Sequence, residues 1–231
     1  MGDRTLPAAL YLVPTPIGNL EDITLRALRV LRQCDIIACE DTRTTSKLLK
    51  LLGIEPKVLV SYYEHNEKSK AKSLADEISS GKSVALVSEA GTPIISDPGW
   101  TIVQEAINRE LPVVPLPGAS AFITALIASG LPADKFTFLG FPPHKKGRRT
   151  FLYKVEESEI TVILYESPHR IAKLVDELSE IFKPERCICI VRELTKIYEE
   201  FIRGTIADVQ KKIKAKSNLK GEFVVVIEGK K

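Results

Sequence analysis

A chain of 231 residues, 44% apolar and 27% charged, has the composition of an ordinary globular protein, and its length calls for one large or two small domains. No apolar run approaches the ~20 residues of a membrane span, and residues 1–7 lack a leader pattern, so a cytoplasmic protein is expected. The net charge of +3 is too mild to argue for nucleic acid by itself, so any basic footprint must be local.

In chain order, residues 10–13 read as a first strand, followed by the stiff loop Pro14-Thr15-Pro16-Ile17-Gly18-Asn19-Leu20. Asp22 or Thr24 is placed to cap the next helix, whose apolar Leu25, Leu28 and Leu31 lie opposite Arg26, Arg29 and Arg32. Residues 36–39 form a second strand ending in Glu40-Asp41-Thr42-Arg43, a polar cluster that is expected to cap a helix over 45–52. A third strand at 57–61 and a lysine-bearing helix at 67–80 follow. The fourth strand, 84–87, opens into Ser88-Glu89-Ala90-Gly91-Thr92-Pro93-Ile94-Ile95-Ser96-Asp97-Pro98-Gly99 and then a helix over 100–108. Gly91 admits close backbone approach, Pro93 and Pro98 stiffen the loop, and Glu89 and Asp97 bring two carboxylates; Asp97 also reads as a helix cap. The fifth strand, 113–116, enters Pro117-Gly118-Ala119-Ser120-Ala121 and a helix over 122–128.

Five strands alternating with helices predict a mostly parallel sheet with crossover helices, a first α/β domain at 1–117. The remainder, 118–231, changes rhythm. Strands are expected at 136–141, 161–165, 187–191, 199–204 and 222–228, and helices at 171–182 and 206–216. Two strands close together near the end imply antiparallel pairing and a mixed sheet. Residues 142–149, Pro142-Pro143-His144-Lys145-Lys146-Gly147-Arg148-Arg149, read as a basic loop.

Cys34, Cys39, Cys187 and Cys189 fall in apolar runs and read as structural thiols. Cys187 and Cys189 share a strand face at about 6.5–7 Å, at the edge of disulfide reach. Neither the cysteines nor His65, His144 and His169 have metal-ligand spacing, so no metal is expected. The G-x-G-x-x-G, G-x-x-x-x-G-K-[ST] and G-x-S-x-G patterns are all absent. Three proline- and glycine-rich loops remain, 14–20, 88–99 and 117–121, each directly after a strand of one sheet. Such loops gather along one sheet edge, where ligands bind in open α/β folds.

The wording and order of these loops resemble the tetrapyrrole-methylase-like S-adenosylmethionine (SAM) methyltransferases, with two α/β domains. Gly140-Phe141-Pro142, Tyr165-Glu166-Ser167-Pro168-His169-Arg170 and Arg192-Glu193-Leu194-Thr195-Lys196 extend the likeness over essentially the whole chain. The first loop lacks the G-x-G-P-G form of the small-molecule methylases and is similar to the branch that modifies ribosomal RNA. The resemblance implies methyl transfer from SAM to the ribose 2′-hydroxyl of a cytidine in the decoding region of small-subunit (16S) ribosomal RNA. It further implies a homodimer and a cofactor cleft between the domains; the partner is small-subunit ribosomal RNA, either in the assembled 30S subunit or as naked RNA. A small-molecule methyltransferase of the same fold, or an RNA-binding relative without catalysis, is the alternative.

By the same resemblance, Pro16, Gly18, Ser88, Ala90, Gly91, Thr92 and Pro93 run along the cofactor, Ser120 and Ala121 lie near its amino-acid end, and Tyr165, Arg192 and Glu193 contribute from the second domain. A ribose hydroxyl needs to lose its proton, and Glu89, Asp97, Asp41 and Glu166, all at strand ends, are candidates for the base. The basic loop with Lys145, Lys146, Arg148 and Arg149 is the leading candidate for phosphate contact, with Arg43 and Lys47, and also Arg26 and Arg29, as additions. Asp41 and Arg43 could equally pair with each other. Lys211, Lys212, Lys214, Lys216 and Lys220 form a second basic group.

Overall fold

The structure, a computed structural model, describes residues 6–55, 57–216 and 218–230. Residues 1–5, most of the segment read above for a leader, lie outside the described residues. The chain divides into two compact units, 1–120 and 121–231.

In the first unit five strands, β1 (Leu10–Leu12), β2 (Ile36–Cys39), β3 (Val58–Ser61), β4 (Val84–Leu86) and β5 (Val113–Pro115), lie in the order β3-β2-β4-β1-β5. Every pairing is parallel. Between them run α1 (Leu25–Gln33), α2 (Thr42–Leu51), α3 (Glu67–Ser79) and α4 (Trp100–Asn108). Side chains alternate across each strand and so feed two cores. Ile37, Cys39, Tyr11 and Ala85 pack with Val30 and Leu31 of α1 and Leu49 of α2. Ile36, Ala38, Leu10 and Val84 pack with Leu74 and Ile78 of α3 and Ile102 and Ala106 of α4. The chain leaves adjacent strands β1 and β4 toward opposite faces of the sheet. This opens a crevice at their carboxyl ends, the place where an open α/β sheet takes a ligand.

The second unit holds β6 (Phe136–Phe138), β7 (Thr161–Glu166), β8 (Cys187–Arg192), β9 (Glu200–Thr205) and β10 (Phe223–Ile227) in the order β6-β7-β10-β8-β9. β6 and β7 are parallel and the other pairs antiparallel, so the sheet is mixed. One face is covered by α6 (Arg148–Glu156), α7 (Ile171–Ile181) and α8 (Ile206–Lys214). The other face lies against α5 (Ala121–Ser129), which contributes the buried Ala125 and Leu126. All four cysteines are free thiols; Cys34, Cys39 and Cys189 are buried, and burial raises each above the ordinary thiol range.

Most elements fall within a residue or two of the sequence reading, with three instructive departures. α2 starts at Thr42 rather than 45, because Asp41 accepts hydrogen bonds from the amides of Arg43 and Thr44 and caps the helix early. β6 stops at Phe138, since Gly140 takes φ of +63° and turns the chain away. α6 has no counterpart in the sequence reading: it begins inside the basic stretch, and its buried stripe is only Arg148, Leu152 and Val155. Thr24, not Asp22, caps α1, through the Ala27 amide. Among the described residues no helix is long and apolar enough to cross a membrane.

Candidate functional site

The three loops of the first unit are bound to one another at the crevice. Thr15 and Gly91 exchange both backbone hydrogen bonds, at 2.9 and 3.0 Å, as an isolated antiparallel bridge. The Thr15 hydroxyl donates to the Ser88 carbonyl at 3.2 Å, and the Ser88 hydroxyl donates to the Gly91 carbonyl at 3.1 Å. The Thr92 hydroxyl donates to the Ala119 carbonyl at 2.9 Å, which joins loop 88–99 to loop 117–120. Close approach explains the glycines. Gly91 has φ of +83°, and a Cβ there would meet Ile17 at 3.2 Å; a Cβ on Gly118 would sit 2.5 Å from Pro14 Cβ. Ser88 and Thr15 are buried, whereas Gly18, Glu89 and Ala90 are exposed and Pro16 half-buried. The bonded side of the loops is thus inward, and the backbone around residues 89–90 faces outward.

Strain marks the same loop. Ile94 and Ser96 hold φ of +77° and +66°, a region that costs an L-residue energy, most of all a β-branched one. Asp97 is not the cap of α4. Gly99 takes that position with φ of +142° and donates its amide to Glu67 Oε1 at 2.9 Å. Tyr62, buried beneath, donates its hydroxyl to the same carboxylate at 3.1 Å and accepts the Ile102 amide at 3.2 Å. A Cβ on Gly99 would collide with Ile94 and Leu86.

With the cap supplied from α3, the Asp97 carboxyl has another setting. Burial, with the carboxylates of Glu40 and Glu89 adding, pushes it up to about 6. Glu40, at the end of β2, is raised by burial first and by Glu89 second. Three carboxylates therefore converge at the ends of β2 and β4, and Glu40 is the one that sequence reasoning does not single out. Asp41 goes the other way: hydrogen bonds from the Arg43 side chain and backbone hold it at about 2. Its carboxylate pairs with Arg43 at 2.8 Å, so the paired alternative holds for these two residues. Arg43, Ser46, Lys47 and Lys50 on α2 line an open groove of about 580 Å³ with Thr42 and Leu59.

In the second unit two assignments change. Glu166 lies at the end of β7 with its side chain fully buried. It accepts from Arg170 Nη2 at 2.8 Å, from the Ser167 amide at 2.8 Å and from Arg148 at 3.4 Å. Its carboxylate is thus buried and occupied by two guanidiniums and an amide of its own unit. Arg148, 4% exposed, is likewise not an exposed phosphate ligand: it pairs with Glu177 at 2.7 Å and donates to the Pro143 carbonyl at 3.1 Å. Lys145, Lys146 and Arg149 remain exposed. Tyr165 packs against Phe138 and Phe141, with centroids at 4.9 and 5.5 Å. Arg192 donates to the Lys220 carbonyl at 2.6 Å. Glu193, φ +51°, accepts the Glu222 amide and Lys196, and fills the space beside Gly221. The side chains of Arg192 and Glu193 are thus committed to holding their own loop. Ser120 and Ala121 stand at the start of α5.

A family model described as tetrapyrrole (corrin/porphyrin) methylases matches residues 9–210. Among curated relatives, ribosomal RNA small subunit methyltransferase I of Halalkalibacterium halodurans is 50% identical over 221 residues, 95% of this chain and 75% of that protein. The protein of the same name from Hydrogenobaculum is 49% identical over 94% of each chain. Among solved structures, the methyltransferase CobJ superposes with a TM-score of 0.69 at 17% identity, over 96% of this chain and 94% of that one. Uroporphyrin-III C-methyltransferase from Thermus thermophilus, complexed with S-adenyl homocysteine, gives 0.62 at 18%, over 94% and 96%.

Proposed function

We infer the activity from one premise: the chain belongs to the tetrapyrrole (corrin/porphyrin) methylase family. It is a methyltransferase acting on small-subunit ribosomal RNA. The observation that carries this is the run of relatives, 43–50% identical over 94–98% of the chain, that bear that one name. The reaction we assign is methylation of the ribose 2′-hydroxyl of a cytidine in the decoding region, with SAM as donor, the assembled 30S subunit as substrate, and a cytoplasmic homodimer as the working form.

The residues present suit such a donor. Gly91 and Gly118 let the loops close on Ile17 and Pro14, and the outward backbone around Glu89 and Ala90 offers amides and carbonyls to an adenosine and an amino-acid tail. SAM, when bound, supplies an electrophilic methyl group on a cationic sulfur, a charge that the carboxylates of Glu40, Glu89 and Asp97 complement. Ser88, Ala90, Gly91, Thr92 and Pro93, with Pro16, Gly18, Ser120 and Ala121, form the proposed cofactor loops, and Tyr165, Arg192 and Glu193 the proposed contribution of the second domain, the last two through their backbone.

Methyl transfer is an in-line displacement, so holding the two reactants together supplies much of the rate. A base matched to the working pH supplies roughly 10²–10⁴ more. Asp97, beside Glu40 and Glu89, is lifted toward neutrality, to about 6, and we assign it that role. Asp41, held at about 2 by Arg43, instead caps α2 and fixes the basic groove. The test is transfer of labelled methyl from SAM to unmodified small subunits and, separately, to the naked RNA. Label in subunits supports the reading; no label in either, alongside measurable SAM binding, sinks it.

A further inference from the structure

We propose that Phe141 is a stacking platform for a nucleobase of the RNA substrate, fixed in place by a buried clamp between Arg148 and Glu166; this rests on the RNA reading above. The loop that follows β6 alternates anchors and presenters. Pro142 and Arg148 are buried, while Phe141, Lys145, Lys146 and Arg149 are exposed. Phe141 leaves 52% of its surface in solvent, an unusual placement for a large aromatic side chain held by so much supporting structure.

That support is layered. The Phe141 ring rests on Tyr165 at 5.5 Å, Tyr165 on Phe138 at 4.9 Å, and Phe138 stacks on Phe122 at 4.4 Å. The Tyr165 amide donates to the Gly140 carbonyl at 2.9 Å, which fixes the backbone just before the ring. On the far side of the loop, Arg148 donates to the Pro143 carbonyl and is itself held by Glu166 and Glu177. Glu166 adjoins Tyr165 in sequence, so the clamp and the aromatic stack share the end of β7.

The chemistry of the occupant follows from what surrounds the ring. Single-stranded RNA is read by stacking splayed bases on aromatic faces while cationic side chains take the flanking phosphates. Lys145 and Lys146, four and five residues beyond Phe141, are exposed cations on the same loop. Arg149 lies over the Tyr153 ring at 5.8 Å and adds to that positive edge. A rigid exposed ring beside lysines can hold one splayed base while the lysines take its flanking phosphates. Arg148 and Glu166 are positioning residues: they act through the loop and touch no substrate.

The experiment measures binding of the full protein to small subunits and to decoding-region RNA, over a salt series, for Phe141→Ala, Phe141→Trp and the double change Lys145→Ala with Lys146→Ala. Stacking on one base predicts that Phe141→Ala weakens binding about 5- to 150-fold with an unchanged salt slope, and that Phe141→Trp restores it. The lysine pair should instead flatten the slope. SAM affinity stays at the wild-type level in all three, which separates the platform from the cofactor loops. Normal RNA binding by Phe141→Ala overturns the platform while leaving the RNA reading intact, as does a change in oligomeric state with RNA binding unaltered. Failure of the wild-type protein to bind RNA at all defeats the RNA reading itself.

Discussion

Replacing Glu166 by Leu should cost more than replacing Arg148 by Met, although both break the same ion pair. The reason lies in who is left behind. Glu166 is fully buried and faces two guanidiniums, with Arg170 at 2.8 Å and Arg148 at 3.4 Å. Its removal leaves Arg170 without its carboxylate and Arg148 with Glu177 alone, a loss of about 3–5 kcal/mol for a broken buried pair. Arg148→Met leaves Glu166 with Arg170 and the Ser167 amide, and it frees Glu177, which keeps Lys173 at 3.8 Å. That change costs about 1–3 kcal/mol, the scale of charge-assisted hydrogen bonds. At roughly 2–4 °C per kcal/mol for a chain of this size, Glu166→Leu lowers the melting temperature by about 6–20 °C. Urea unfolding followed by circular dichroism gives the energies, and hydrogen exchange of the α6 and α7 amides locates them. An Arg148→Met cost equal to or above that of Glu166→Leu would refute the argument, as would a double mutant whose cost is the plain sum of the singles.

Asp97→Asn should slow methyl transfer by about 10²–10⁴, and the wild-type rate should climb as pH rises through about 6 and level off above, where the carboxylate is free to accept a proton; a pH-rate series checks both. The same substitution should stabilise the fold near pH 8. A carboxyl raised from 3.8 to about 6 in the folded state favours folding below its unfolded value, and that contribution is lost as pH rises through the folded one. Discounting for partial solvent exposure, the asparagine gains about 1–2 kcal/mol above pH ~7 and nothing by pH ~4, read by denaturation at the two pH values. Gly118→Ala drives a Cβ to 2.5 Å from Pro14; it should cost about 1–3 kcal/mol and weaken SAM binding about tenfold or more by calorimetry, because the loops cannot stay joined. Neutralising Lys145 and Lys146 should reduce the log–log salt slope of RNA binding by roughly 0.7–0.9 for each phosphate that no longer meets a cation.

The parallel sheet was legible because its strands are short apolar runs punctuated by glycine and proline, and its ligand edge because three such loops follow three strands. Ile36-Ile37-Ala38-Cys39 illustrates it: an unbroken apolar run with both faces buried, as a central parallel strand requires. The mixed character of the second sheet was visible in the short connection between β8 and β9, while the insertion of β10 between β7 and β8 was not, since nothing local encodes a long-range pairing. α6 hid because a buried arginine occupies the position where periodicity looks for an apolar side chain. That residue also explains the two reassignments at the site. Arg148 reads as one more cation in a basic stretch, and Glu166 as one more carboxylate at a strand end. Only the fold brings them together, eighteen positions apart, and buries both. Conversely, Asp97 reads as a helix cap until Glu67, thirty-two residues upstream of Gly99, is seen to fill that role.

The central claim is that this chain moves a methyl group from SAM to a ribose of small-subunit ribosomal RNA. The most direct test digests RNA from labelled small subunits to nucleosides and asks by mass spectrometry which one carries the methyl group. The account predicts label in 2′-O-methylcytidine from the decoding region, appearing about 10²–10⁴-fold more slowly with Asp97→Asn. Label on a base, or labelling of a tetrapyrrole in place of RNA, would contradict it.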